Sequence, residues 1–559
     1  NTHIVPRTGN SLKRDLLGEE RATAPRRTLS LGRGTGPYDV VLGPLTCFRP
    51  SRPWPSSRRE QLALAVAVAA RPQRHDEQRD TVLVRARDRV TRKDLILTVS
   101  RDAGMEDLVE SYKQKIVEIA DRTQQWLAKA DAAYERDART HDDERARAAG
   151  SSHAAMISIM DHGAKGDGVA DDKAAFEAAV AAARGKTNVV HLPAGHTFLL
   201  SPIELVEETD LEIRIDGTVR APPMERWPRP PQEDASLSAE RQRMRYAFLE
   251  LRYCRSLVIS GSGAIEGRGQ PWWRRRKRRP EIRAPALLVI RESSDCVVRY
   301  LSLVESPFYH VVVLDSERIK LDRLRVATPS GSVNTDGIDV LASSDVTISK
   351  CHVSTGDDNV AIKEGSRRVQ VLGGLFHKGH GLSIGSLGER HTEQSVEDVL
   401  LANVRFYRTS NAARVKTWQG GRGHVRNVTF SNLDVRGVYH PLVLDQFYCP
   451  ESQHPGVCAN ETDAVAVSDV TVSGLTGWHT SGVAAMLHCS QSKPCGVVAT
   501  GIDVRSVPGC SNVVRCLNVV PRPGAACADG DNMHGYRLDL SRRQRRALAR
   551  NGTSCVHPP

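Results

Sequence analysis

Residues Asn334–Lys363 read NTDGIDVLASSDVTISKCHVSTGDDNVAIK. Three carboxylates, Asp336, Asp357 and Asp358, lie in two glycine-marked turns, NTDG and GDD, separated by 357 − 336 = 21 residues. Between the turns runs VTISKCHV, with apolar residues in the order V-x-V-x-x-L-x-V or close substitutes. Alternate apolar residues send one face of a strand inward, and the two-residue gap implies a bend between two short strands. An interval of this length is about one coil of a repeat in which each turn adds a strand to a stack. The two carboxylate turns then lie one above the other, roughly 4.8 Å apart, and share one cleft.

The motif recurs outward from this stretch. Its copies CVVRYLSL, IKLDRLRV, VTISKCHV, VQVLGGLF, VLLANVRF, VTFSNLDV, VTVSGLTG and VVATGIDV start at Cys296, Ile319, Val346, Val369, Val399, Val428, Val470 and Val497. Successive starts differ by 23, 27, 23, 30, 29, 42 and 27 residues. One strand motif per unit of this length, without helical periodicity, points to a parallel β-helix rather than a helical array. The long interval contains the Cys449–Cys458 loop, expected to leave the stack. Upstream, ISIMDHGAKGDGVADDKAAFEAAVAAA opens at Ile157 with a short strand. It then enters a helix near Asp171–Asp172, suited to capping the open end of a solenoid.

Residues 1–153 differ from the rest. The first 60 are rich in Arg, Pro, Gly and Ser and read as disordered. From about Thr91 to Ala149 an apolar stripe, Leu108, Tyr112, Ile116, Ile119 and Trp126, predicts one or two exposed helices. The expected division is therefore an N-terminal extension over 1–153, without an assigned function, and a β-helix domain over 154–559.

The 559-residue chain carries a formal charge of +12, which favours a polyanionic partner. Aromatics are only 5%, and zinc-finger spacing, RNA-binding aromatic motifs and basic heptads are missing, so nucleic acid is the weaker choice. Without a run of about 20 apolar residues no membrane helix is expected. Eight of twelve cysteines follow residue 440, none in a CxxC pair, which suggests disulfides in an oxidising compartment and no zinc. Closing short loops would pair Cys449–Cys458, Cys489–Cys495 and Cys516–Cys527. Sequons at Asn427, Asn460 and Asn551 agree with secretion. Leu62–Ala70, after Arg58-Arg59, has the layout of a short signal core or an ordinary apolar segment.

Four polar clusters follow successive strand motifs at comparable intervals: Asn334–Gly337, Gly356–Asp358, Gly379-His380-Gly381 and Arg414-Val415-Lys416. Solenoid geometry puts them on one side. Carboxylates sharing a site resist joint ionisation, which leaves one protonated acid beside an ionised base, as glycosidic cleavage requires. A Ca²⁺ site and plain solvated turns use the same aspartates equally well. For Asp357 and Asp358 to serve one cleft the backbone must turn, which Gly356 permits. Glycines on both sides of His380 suggest close backbone approach. Arg414 and Lys416 share a strand face and call for an anion between them, such as a substrate carboxylate. The run Arg274–Arg279, RRRKRR, reads as a solvated loop.

Together the four clusters resemble the polygalacturonase family, glycoside hydrolases of family 28 that cleave pectin. That family carries NTDG, GDD, GHG and RIK in this order; here they read NTDG, GDD, GHG and RVK. GHGLSIGSLGE, RVKTWQGG, VLDQFYC, GAKGDGVADDKAAF and CSQSKPC are also similar, and the likeness spans about residues 155–530. The resemblance implies a right-handed parallel β-helix and hydrolysis of α-1,4-linked galacturonan with inversion. It implies Asp357 as general acid, Asp336 and Asp358 as water activators, and His380 as support for the acid. Arg414, Lys416, Tyr448 and Asn334 are the implied substrate-binding residues. No metal or other cofactor is implied, and the expected partner is an acidic polysaccharide met by a secreted, cell-wall monomer. Members often carry a cysteine after GDD, bridged to one shortly before GHG. Here Asn359 and Phe376 or His377 stand there, which puts local rigidity in doubt. Lyase-type β-elimination and a non-catalytic pectin-binding solenoid remain the alternatives.

Overall fold

All eight copies of the motif become strands of one face of a solenoid. In the computed structural model the described residues are 81–87, 94–100, scattered positions within 128–143, and 156–520 apart from 187, 450–460, 462 and 508–511. Val346, Val369, Val399, Val428, Val470 and Val497, each the first residue of its copy, pair in succession in parallel register. None is more than 2% exposed. Identical positions therefore stack coil on coil and fill the interior.

The expected bend has a specific cause. The fifth residue of every copy, Tyr300, Arg323, Lys350, Gly373, Asn403, Asn432, Gly474 and Gly501, has φ between 49° and 70°. This left-handed conformation suits Gly and Asn, and here it turns the strand once per coil. Stacking lets the bends support each other: Asn432 Nδ2 donates to Asn403 Oδ1 at 2.7 Å. The motif's two halves can separate fully, as in Lys320–Asp322 and Arg325–Ala327, or merge into one bent strand, as in Ser344–Thr355.

The other face is an eleven-stranded parallel sheet running from Ile203–Val206 at one end to Val513–Leu517 at the other. One continuous apolar core lies between the two faces. The helix Lys173–Ala183 begins where Asp171–Asp172 predicted and buries Phe176, Ala179 and Val180 against the first coil. Asp172 leaves the helix N–H groups alone. Its carboxylate instead accepts from Lys165 N at 2.6 Å and Gly166 N at 3.1 Å, tying down the preceding loop. Few helices and mostly parallel strands make the chain the expected all-β parallel β-helix.

The N-terminal region needs a correction. Asp94–Ser100, expected to be helical, is a strand paired antiparallel with Thr81–Arg87. TVLVRAR alternates with period two, which the helical reading of the neighbouring segment overlooked. Described residues within 128–143 are helical, as expected. They dock on the solenoid: Ala133 packs with Leu375 and Tyr407, and Arg405 meets Asp137 at 3.0 Å. The first 60 residues, the segment Leu62–Ala70 and the sequons Asn460 and Asn551 lie outside the described residues. Cys489–Cys495 is bridged as expected. Cys449 and Cys516 are also disulfide-bonded, while Cys458 and Cys527 lie outside the described residues. Among the described residues no helix is long and apolar enough to cross a membrane.

Candidate active site

The polar clusters sit on adjacent rungs of the eleven-stranded sheet. NTDG leads into the strand Ile338–Leu341, GDD into Val360–Ile362 and GHG into Leu382–Leu387. Arg414 and Lys416 lie inside the next strand, Asn411–Trp418, and Tyr448 ends the one after, His440–Tyr448. Each strand pairs in parallel with the one before, so residues more than a hundred positions apart line one cleft.

Close backbone approach explains the glycines. A Cβ at Gly356 would lie 2.2 Å from Ser332 O, and one at Gly379 2.4 Å from Asp357 O. Gly356 thus lets the GDD turn press against the NTDG loop, and Asp357 and Asp358 sit in a bend rather than on a strand. Gly379 and Gly381 have φ of 64° and 79° and swing His380 toward both aspartates. His380 Nδ1 lies 3.0 Å from Asp357 Oδ1 and 3.4 Å from Asp358 Oδ1.

Asn359 makes bonds of its own where the sequence lacks the cysteine. It is fully buried, donates to Val353 O at 3.0 Å and accepts from Gly381 N at 2.8 Å. A side-chain amide thereby ties the GDD turn to the GHG turn. Phe376 packs edge-on against Phe406 in the core at 5.3 Å.

The anion between the two cations is Asp358. Arg414 donates to its Oδ1 at 2.7 Å and Lys416 to its Oδ2 at 2.9 Å. The sequence reading assigned that place to a substrate carboxylate; in the free protein a site aspartate fills it. Tyr448 stands beside the pair, its ring 5.5 Å from Lys416 Nζ and edge-on to Trp418. Asn334 Nδ2 lies 3.5 Å from Asp357 Oδ2, at the limit of a hydrogen bond.

The carboxylates titrate apart. Burial pushes Asp358 up, but the Lys416 and Arg414 charges outweigh it and hold the group well below the usual carboxylate range. Burial also raises Asp357, and the His380 hydrogen bond and charge bring it below that range. Burial disfavours a charge on His380, yet its bonds to both aspartates lift the imidazole to about 9. Asp336 goes the other way. Burial, then repulsion from Asp357, Asp339 and Asp358, raises it well above the ordinary value, and its Oδ1 has no hydrogen-bond partner. The three carboxylates therefore differ in proton affinity, Asp336 holding a proton most readily and Asp358 least readily.

The Ca²⁺ alternative rested on Asp336, Asp357 and Asp358, whereas among the described residues the ligand atoms that lie within 4.8 Å of one another belong to Asp357, Asp358 and His380. Both Asp358 oxygens are already taken by cations, and His380 holds its proton. A divalent ion would have to displace three positive groups, so this donor set does not fit one.

Several site residues escaped the sequence reading. Arg276, placed in a solvated loop, ends the helix Gln270–Arg276 and is 7% exposed. It donates to Asn334 Oδ1 at 2.8 Å and Val333 O at 3.1 Å, fixing the NTDG turn. Lys363 lies 3.4 Å from buried Asp339 and 2.8 Å from Glu240. His310 Nδ1 lies 2.9 Å from Asp336 O. An aromatic pair just before the arginine run, Trp272-Trp273, was the one available hint that this segment is anchored.

A parallel β-helix presenting three carboxylates, an imidazole and a cation pair in one cleft is built for acid–base cleavage of a glycosidic bond. The profile of glycosyl hydrolases family 28 matches residues 183–527. A polygalacturonase from Persea americana is 33% identical over 371 residues, covering 65% of this chain and 77% of the relative. Another from Malus domestica is 33% identical over 381 residues, covering 67% and 78%. The chain belongs to glycosyl hydrolases family 28 and is a glycoside hydrolase. Among solved structures, an endo-xylogalacturonan hydrolase from Aspergillus tubingensis aligns at TM-score 0.58 and 24% identity, over 68% of this chain and all of that one. A polygalacturonase from Erwinia carotovora aligns at TM-score 0.54 and 24% identity, over 67% and 98%. Both share the fold.

Proposed function

We propose that the chain hydrolyses α-1,4-linked galacturonan with inversion. The observation that carries this reading is the juxtaposition, on consecutive rungs, of carboxylates with opposite proton affinities and a pair of cations suited to a uronate. Asp357 delivers a proton to the leaving glycosidic oxygen, and the His380 imidazolium at its Oδ1 supplies that proton. Asp336 and Asp358 orient the attacking water. Asp336, with the highest proton affinity of the three, enters the step as the carboxylate, receives the water's proton and passes it to solvent, from which His380 regains its own proton before the next turnover. Arg414 and Lys416, steadied by Asp358 and flanked by Tyr448, hold a substrate carboxylate, while Asn334 positions Asp357.

The test is the full chain on polygalacturonate. Reducing ends should accumulate without ultraviolet-absorbing unsaturated products, and EDTA should leave the rate unchanged. Unsaturated products lost on chelation would replace hydrolysis with β-elimination. Asp357→Asn should lower kcat by about 10²–10⁴-fold while KM stays close to wild type; a fully active variant would remove Asp357 as the acid.

The Cys489–Cys495 bridge supports secretion into an oxidising compartment. Asn427 of the Asn-Val-Thr sequon is exposed on the solenoid. A mobility shift of the secreted protein on deglycosylation, lost in Asn427→Gln, would test both points.

A further inference from the structure

The turns that enter the eleven-stranded sheet carry the reactive groups, and two earlier turns on the same edge are long. Residues 221–246 join the strand Thr218–Arg220 to Ala247–Arg252, and residues 267–285 join Ala264–Glu266 to Ala286–Arg291. Both contain a short helix, Ala239–Met244 and Gln270–Arg276. Both fold back over the outer face of the sheet. Met244, Trp272 and Phe308 pack there on Val289, Val312 and Leu341, in a second apolar cluster outside the solenoid's interior.

The roof reaches forward to the reactive rungs and is locked to them. Glu240 of the first helix meets Lys363 at 2.8 Å and accepts from Tyr309 at 3.2 Å. Lys363 in turn meets Asp339 on the strand that follows Asp336. Arg241 grips Asp315 through two nitrogens, at 2.5 and 2.9 Å. From the second helix, Arg276 holds Asn334 and lies over the Phe308 ring at 4.6 Å. Asp339 is left with no exposed surface. On the opposite, C-terminal side of Asp357 the outer face carries Arg414 and Tyr448, polar and partly open.

A polymer lying across the strands advances about 4.8 Å per rung, so it meets this roof at the rung of Asp336. We propose that the roof closes the cleft on its N-terminal side, leaving room for one terminal sugar beyond the reactive carboxylates, and that the chain therefore attacks galacturonan from an end and releases monogalacturonate. The inference rests on the hydrolase reading above and adds its mode of attack.

Hexagalacturonate digested by the full chain should give pentamer and monomer as the first products, with no dimer, trimer or tetramer until pentamer has accumulated. Dimer, trimer and tetramer among the first products would overturn the roof as a wall while leaving hydrolysis intact. No new reducing ends would overturn both. Glu240→Ala with Arg241→Ala frees the first helix from Lys363 and Asp315. In that variant the monomer-only pattern should be lost, with internal cleavage products appearing early. A soluble double variant that still releases only monomer would also overturn the proposal.

Discussion

Asp336 and Asp358 show how differently one cleft can treat two carboxylates. Asp358 has a cation on each oxygen, whereas Asp336 is equally buried with one oxygen unsatisfied. Folding thus stabilises the charged form of one and opposes that of the other. For Asp336 the folded state binds its proton more tightly than the unfolded chain does. Its contribution to stability therefore declines as pH rises from the ordinary carboxylate range toward the raised folded value. Asp336→Asn removes that penalty. The variant should be inactive yet have a higher Tm than wild type at pH 7, and the gain should vanish near pH 3. A lower Tm at pH 7 would show that the carboxylate stabilises the fold. The sequence made these residues visible because the four motifs carry them. It did not reveal which aspartate has the higher proton affinity, since that depends on Arg414 and Lys416 closing on Asp358.

At the scale of the element, the repeat was legible because each copy must place apolar residues in the same register. Its left-handed fifth position was not, because Tyr300, Arg323 and Lys350 occupy it as well as Gly and Asn. Coil-on-coil stacking over-rides a local preference worth about 1–2 kcal/mol. Lys350→Gly should relieve that strain and gain about 0.5–1 kcal/mol in urea unfolding, after the greater backbone entropy of glycine is counted. Gly374→Ala should do the opposite. Its φ is 118° and a Cβ would fall 2.4 Å from Cys351 O, so a loss of about 1–3 kcal/mol is expected. The roof helices stayed hidden for a related reason. Glu240 and Arg276 act through contacts with Lys363 and Asn334, made by turns that do not repeat, and no periodicity announces them.

For the whole molecule, a solenoid is held by contacts between neighbouring coils, and its reactive rungs lie mid-stack, far in sequence from the N-terminal extension. Among its described residues, Ala133 and Asp137 touch the β-helix at Leu375, Arg405 and Tyr407, on the sheet away from the cleft. Removal of residues 1–153 should therefore leave kcat and KM on polygalacturonate unchanged. A lost or altered activity in the truncated chain would give the extension a part in the reaction.

The two long turns have a consequence for descent. They grow from the edge of the sheet while Ile265 still pairs with Leu303, and Leu249 with Leu288, in undisturbed parallel register. With the roof as the wall proposed above, lengthening or trimming such a turn would change what the cleft admits while the rungs keep their register. Insertion and deletion there are open to a lineage of such chains at little structural cost, because Asp336, Asp357 and Asp358 sit on rungs the turns do not interrupt.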